Sequence, residues 1–348
     1  MAHVTAASDQ KQDGANDAWK KYDVRKSPFI ELQSPFTLRE AIKMVILFPF
    51  FIPRTVIGIS ACIVLASLSY IAALGWPLEK PFPKWRRQLV VAASKLARLV
   101  LLMLGFNVRI HGWRNVAKGR QIGSLAIFNH STWVDPILMM WLFAPSGVSK
   151  ASNADLPLFG TCIKAFQNIY VPRGGKKVTV SGKNISQAIA DRAKDRRFPM
   201  LCMAPEGTCS HGRCILQFYK GAFVPGVPVL PVLLTYDDSC HNPAWVIVNE
   251  GWSWVRMMHQ FWNTVEVTIL PPYIPSEAEQ QDASLYAANV RKLFADKLQV
   301  PLVDQSIPEY IALCDQGVRV SWDGRRLIAP PGVLDADDCT DLTRTKQD

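Results

Sequence analysis

Thr55 to Gly75 (TVIGISACIVLASLSYIAALG) is a run of 21 residues without one charged side chain, and it constrains the chain more than any other feature. A helix rising ~1.5 Å per residue over that length matches the ~30 Å hydrocarbon core of a bilayer. The run is therefore either a membrane segment or the buried core helix of a sizeable domain. Basic residues stand on both flanks, Arg54 on one side and Lys80, Lys84, Arg86 and Arg87 on the other, so charge asymmetry does not orient it. Immediately upstream, residues 44–53 (MVILFPFFIP) contain Pro49 and Pro53. If these prolines break the segment, a re-entrant hairpin that returns to its starting side fits the symmetric flanks.

The neighbouring stretches extend this picture. Residues 1–40 are polar and mixed in charge and lack the features of a signal peptide, which predicts a disordered cytosolic arm. Residues 89–105 are apolar except for Lys95 and Arg98, as in an amphipathic helix lying at a membrane surface or in the first helix of the domain that follows. Residues 41–105 thus form an expected membrane anchor. A composition 49% hydrophobic agrees with a partly embedded protein, too apolar for a purely soluble enzyme and too polar for a polytopic transporter. The net charge of +10 is spread among tryptophans and phenylalanines. It favours an anionic membrane surface or a phosphate-bearing substrate and carries no nucleic-acid-binding pattern. Eight cysteines occur with no CxxC pair and no His/Cys set at zinc spacing, so no metal is expected and the catalytic face is read as cytosolic.

From residue 106 onward short apolar strands alternate with helical patterns. FNVRIHGW, SLAIFNH, FQNIYVPR, FPMLCMAPEG and PVLPVLLTY read as strands, and 136–144, 156–167, 179–194 and 282–299 as helices. The last of these points Leu285, Val290, Leu293 and Phe294 to the core. This alternation predicts an α/β fold, a mixed sheet covered by helices, with motif residues at strand ends. The catalytic domain is placed at 106–300, followed by a C-terminal extension, 301–348, whose end is expected to be disordered.

Four elements carry chemistry. In NHSTWVD, His130 precedes Asp135 by four intervening residues at the end of an apolar strand. With a helix starting there, the carboxylate can hold one imidazole nitrogen and leave the other as a general base. In YVPRGG, Arg173 beside Gly174 offers a fixed cation and open backbone N–H groups suited to a phosphate. In APEGTCS, Glu206 can accept a hydrogen bond from a substrate hydroxyl or pair with a cation, with Gly207 and Thr208 beside it. The fourth element, GAFVPGVPVLPVLL, reads as a buried, proline-punctuated strand. Each alone also fits an ordinary turn or core strand. Ser210 lies in no G-x-S-x-G elbow, and His111, His211, His241 and His259 have no carboxylate at useful spacing.

Taken in order, these elements resemble the glycerolipid acyltransferase family. The run EGTCSHGRCILQFYKGAFVPGVPVLPVLLTY is similar to its lysophosphatidylcholine and lysophosphatidylethanolamine acyltransferase branch, and the likeness extends over roughly residues 40–300. The resemblance implies His130 as base and Asp135 as its orienting partner. It implies Arg173 with Gly174 at the acceptor's phosphate, Glu206, Gly207 and Thr208 as acceptor-positioning residues, and Lys150 as a basic position of the branch. It further implies a membrane enzyme of the endoplasmic reticulum that transfers an acyl group to the free, sn-2 hydroxyl of a lysophospholipid. Acyl-CoA is the co-substrate, no cofactor is needed, and the partners are lysophospholipid, acyl-CoA and the bilayer, with no nucleic acid. Lysophosphatidate as acceptor, a lipid hydrolase or transacylase, and a non-catalytic lipid-binding protein remain as alternatives. The stretch LDADDCTDLTRTKQ lacks the sixth-position glycine and closing glutamate of an EF-hand loop, so calcium control is not expected.

Overall fold

A computed structural model describes residues 26–32, 36–171, 179–180, 183–330 and 333. The apolar run belongs to one helix, α1 (Leu38–Ala73), of 36 residues, that starts well before Thr55 and ends just before Gly75. It passes through Pro49 and Pro53 unbroken, so the condition for a hairpin broken at the prolines is not met. Each interior proline deletes a backbone hydrogen bond and costs about 3 kcal/mol in an isolated helix. Here the N-terminal half is held from outside. Lys43 Nζ donates to Gln260 Oε1 at 2.7 Å, Arg54 donates to the Met258 and Gln260 carbonyls, and Phe51 stacks on His259 and meets Trp254 edge-on. The buried Arg256 pairs with Glu40 at 2.6 Å.

Of the most apolar window of α1, only 28% is buried, which removes the core-helix alternative. Val56, Ile57, Ile59, Ile63, Val64 and Ile71 face outward, while Ala61, Leu65, Ala66 and Ala72 are buried. An exposed apolar face of this extent is that of a membrane-associated segment. Helix α2 (Lys84–Met103) runs back beside α1 and buries Val90, Ala93, Ala97, Val100 and Leu101. It packs against the catalytic domain as well, with Lys95 and Arg98 left on the outside.

The domain is built on seven strands: β1 (Phe106–His111), β2 (Leu125–Phe128), β3 (Ser146–Lys150), β4 (Ile169–Val171), β5 (Leu201–Met203), β6 (Val229–Tyr236) and β7 (Asn263–Ile269). Their order is β1-β7-β6-β2-β5-β3-β4. All neighbours are parallel except β6 and β7, so the sheet is mixed, as expected. Helices α3 (Arg114–Ile122), α4 (Asp135–Phe143), α5 (Phe159–Ala165), α6 (Ile185–Lys194), α7 (Glu250–Met258), α8 (Ala283–Leu298) and α9 (Ile307–Asp315) surround it. Strand β2 shows why the sheet sits centrally. Ala126 and Phe128 enter the core on one face, with Val116, Leu138 and Val232, and Leu125 and Ile127 enter the core on the other, with Tyr286, Val290 and Phe294. A strand buried on both faces reads as continuous apolar sequence.

Other boundaries shift. Helix α6 begins at Ile185, capped by the Asn184 side chain on the Gln187 N–H, and Thr179–Val180 pairs with Lys183–Asn184 as a short ribbon where the sequence predicted helix. On α8, Leu285 is exposed and Tyr286 takes the core position. Part of the presumed arm is packed. Phe29 is fully buried against Tyr310 of α9, Ile30 bridges Ile247, and Glu31 pairs with Arg213 at 3.0 Å. Together with Leu313, Val320 and Leu327 these residues form a third core cluster that ties the two ends of the chain together. Thr37 caps α1 and Leu38–Glu40 begin it, so of the presumed arm residues 1–25 and 33–35 lie outside the described residues, as does most of the expected disordered end.

Candidate active site

Five strands, β2 to β6, point their C-terminal ends to the same pole of the sheet; the first three sequence motifs follow β2, β4 and β5 in the chain, and the fourth runs into β6 itself. Ligand sites of open α/β sheets gather at such carboxyl ends. Asn129 closes β2 by exchanging two hydrogen bonds with Leu234 of β6, 2.9 and 2.8 Å, which fixes where the next residue projects. That residue is His130. Its Nδ1 lies 2.8 Å from Asp135 Oδ2.

Asp135 opens α4 and is fully buried. Its Oδ2 also accepts the Ser131 N–H at 2.8 Å and the Thr132 N–H at 3.0 Å, and its Oδ1 accepts the Tyr236 hydroxyl. Backbone donors at a helix start stabilise a buried carboxylate as the anion. In the neutral imidazole Nδ1 of His130 therefore carries the proton, and Nε2 holds the lone pair. The imidazole as a whole is 20% exposed. Burial alone pushes the His130 pKa down, but the Cys209 sulfur and the hydrogen-bonded Asp135 carboxylate outweigh it and hold the group well above the usual histidine value.

Glu206, in the loop after β5, is buried, and both of its oxygens are engaged by backbone. Oε1 accepts the His130 N–H at 2.8 Å and Oε2 the Leu216 N–H at 3.0 Å. The carboxylate thus braces the loop that carries the imidazole, a role the sequence did not disclose. Gly207 adopts φ +71°, and an added Cβ there would come within 3.0 Å of Ile307 and 3.1 Å of Tyr219. Thr208 is buried beside it. Lys150 ends β3, exposed, in register with Val171 at the end of β4. Arg173 and Gly174 follow β4 and lie outside the described residues. Thr55 sits inside α1, where its hydroxyl donates to the Phe51 carbonyl, and Gly75 takes φ +66° just past the helix end.

Burial raises the Glu206 pKa from 4.5 to about 7, against the pull of its two backbone donors. An acid raised on folding is protonated in the native state while ionised in the unfolded chain. Its contribution to stability therefore falls as pH climbs from 4.5 to 7, by about 3 kcal/mol in all. Glu206→Gln removes that titration at the expense of one orphaned backbone N–H, about 1–3 kcal/mol. Denaturant unfolding across this pH range is expected to give a flatter profile for the variant; an unchanged slope would assign it to another group.

Tyr236 is the functional residue that sequence reasoning missed. It closes β6, and only the neighbouring of β6 and β2 brings its hydroxyl to Asp135. Burial and the adjacent carboxylate raise its pKa well above 10, so the hydroxyl keeps its proton and donates. The one signal in the sequence is a polar-tipped aromatic ending an otherwise apolar strand.

A buried carboxylate that holds one edge of an imidazole, at the strand-end pole of a sheet with an apolar helix alongside, is the arrangement of a general base beside a membrane-associated segment. Residues 107–235 match the family model described as Acyltransferase, and this stretch is an acyltransferase-family domain. It is 35% identical to the lysophosphatidylcholine acyltransferase of Drosophila melanogaster over 88% of this chain and 59% of that one. It is 32% identical to the lysophospholipid acyltransferase LPEAT2 of Arabidopsis thaliana over 79% of this chain and 50% of that one. The chain thus spans little more than half the length of these relatives. The solved structure of the 1-acyl-sn-glycerophosphate acyltransferase PlsC from Thermotoga maritima aligns with a TM-score of 0.49 and 19% identity, over 75% of this chain and 99% of that one.

Proposed function

We propose that the protein transfers a fatty-acyl group from acyl-CoA to the free hydroxyl of a lysophospholipid, with lysophosphatidylcholine or lysophosphatidylethanolamine as acceptor. The observation that carries this reading is the open Nε2 of an imidazole whose Nδ1 is locked by Asp135. Nε2 takes the acceptor's hydroxyl proton as its oxygen attacks the thioester carbon. The new C–O bond forms, the C–S bond breaks, and the imidazolium returns the proton to the departing thiolate. Asp135 stabilises the transient imidazolium. No cofactor takes part, and no covalent enzyme intermediate is needed. The apolar face of α1 suits two substrates that carry acyl chains; the reduced-cysteine reading supports a domain facing the cytosol, and the likeness to the branch supports the endoplasmic reticulum as its membrane.

Membranes containing the protein, offered labelled acyl-CoA with a panel of lysophosphatidylcholine, lysophosphatidylethanolamine and lysophosphatidate, test the reading. CoA-dependent product with either of the first two supports it. Product with lysophosphatidate alone would move the acceptor assignment, and none with any acceptor would remove the transferase. In the same assay Arg173→Ala is expected to raise the acceptor KM with little change in kcat, as loss of a phosphate contact does.

Tyr236→Phe probes the dyad. Without its hydroxyl the Asp135 charge is less dispersed and attracts the imidazolium more strongly, so the acid limb of the pH–rate profile is expected to move to higher pH. An unmoved limb would mean that Tyr236 only packs.

A further inference from the structure

A cleft of about 910 Å³ opens at the pole opposite His130. Leu125 and Leu201, the first residues of β2 and β5, lie at its floor, and α2 and the C-terminal ends of α3, α4 and α6 wall it. Six cations line it: Arg87, Lys95, Arg98, Arg120, Arg192 and Arg196. The one acid in the lining, Asp195, is already taken by Arg197 through two bonds of 2.7 and 2.8 Å.

The ordinary explanation of such arginines is that they cap helix C-termini, and four of them do reach carbonyls. Arg87 donates to Ala144, Arg120 to Phe143, Arg192 to Gln167 and Arg196 to Arg120 and Gln121. The magnitudes do not balance. A helix C-terminus carries roughly half a negative charge, so three of them offset fewer than two of the cations. Lys95 and Arg98 have no hydrogen bond or ion pair to a described residue, and Arg98 rests 5.4 Å from the Trp141 ring. Ser124, 5% exposed, also lines the cleft, and its Oγ has no hydrogen-bond partner among the described residues. Burial, and after it the nearby Arg120, depresses the Arg87 guanidinium to about 10.

We infer that this cleft is a binding site for a phosphate-bearing anion, separate from the catalytic pole. Guanidinium forks match phosphate oxygens, and the unpaired Ser124 hydroxyl supplies one more donor. The phosphate can come from an anionic phospholipid headgroup or from a soluble phosphate compound. Val91 and Trp113, both exposed in the lining, offer apolar surface to the first of these.

The test uses the full chain in a non-ionic detergent, titrated with short-chain phosphatidic acid, with inorganic pyrophosphate and with short-chain phosphatidylcholine, and follows tryptophan fluorescence and Tm. Binding of either anion, weakened by salt and reduced by roughly tenfold or more in Lys95→Glu/Arg98→Glu, is the expected result. Both side chains are exposed, and a ligand-free Tm equal to that of the wild type shows that the variant folds. Should it not, Lys95→Gln/Arg98→Gln carries the same comparison. A response to phosphatidic acid alone assigns a lipid headgroup, and a response to pyrophosphate assigns soluble phosphate. Equal affinity in wild type and variant, or binding of neither anion, overturns the inference. The outcome is independent of whether the protein transfers acyl groups, because the titration contains no acyl donor.

Discussion

His130→Ala is expected to lower acyl transfer by about a hundredfold to ten-thousandfold while leaving the fold intact. The first half of this expectation follows from general-base catalysis, which contributes about that range. Near neutral pH the acceptor hydroxyl keeps its proton, so attack on the thioester requires a base within reach, and Nε2 of His130 is the open nitrogen of the dyad. The second half follows from the neighbours. Removing the imidazole leaves Asp135 with the Ser131 and Thr132 N–H groups and the Tyr236 hydroxyl, so the buried carboxylate stays satisfied. The backbone bond from residue 130 to Glu206 does not depend on the side chain. Initial rates in membranes, compared with the Tm of the purified variant, check both halves. Turnover near wild type would sink the base assignment, and a collapsed Tm would make His130 a structural residue.

Legibility followed the range of the interactions. Strands β2, β5 and β6 were readable because burial on both faces makes them continuously apolar. Strand β7 carries a signal of another kind, with Val265, Val267 and Ile269 inward and Thr264, Glu266 and Thr268 half-buried between them, a period-two alternation that the strand assignments above passed over. Strand β3, SGVSK, has a single large apolar residue and is held by its pairing with β4 and β5, so its own sequence carries little signal. The unbroken course of α1 past Pro49 and Pro53 depends on Trp254, Arg256 and His259, some 200 positions away in the chain. The same holds in the site. Spacing alone pairs His130 with Asp135, because both belong to one strand-to-helix turn. The brace from Glu206 and the donor from Tyr236 exist only because the order β6-β2-β5 sets three distant segments side by side.

Asp135→Asn separates the two services the carboxylate performs. In principle an amide can reverse the tautomer of a histidine by presenting its NH2 group to Nδ1. Here that orientation is opposed, because the atom facing Nδ1 also accepts the Ser131 and Thr132 N–H groups, and an NH2 there would meet two donors. The amide oxygen is expected to take that place, with NH2 turned to the Tyr236 oxygen, which can accept. The imidazole then stays in register with Nδ1 protonated, and only the negative charge is lost. Since Asp135 helps to hold the His130 pKa above its ordinary value, the acid limb of kcat/KM is expected to move to lower pH, opposite to Tyr236→Phe. The rate on the plateau is expected to fall by about a hundredfold or more, because nothing then offsets the charge developing on the imidazolium. Asp135→Ala would instead strand four donors around an empty site, at about 1–3 kcal/mol each, and is expected to unfold the domain. A pH–rate profile of the asparagine variant with its limb unmoved would show that Asp135 only positions the ring, whereas a folded but wholly inactive variant would mean that the amide had reversed the tautomer after all.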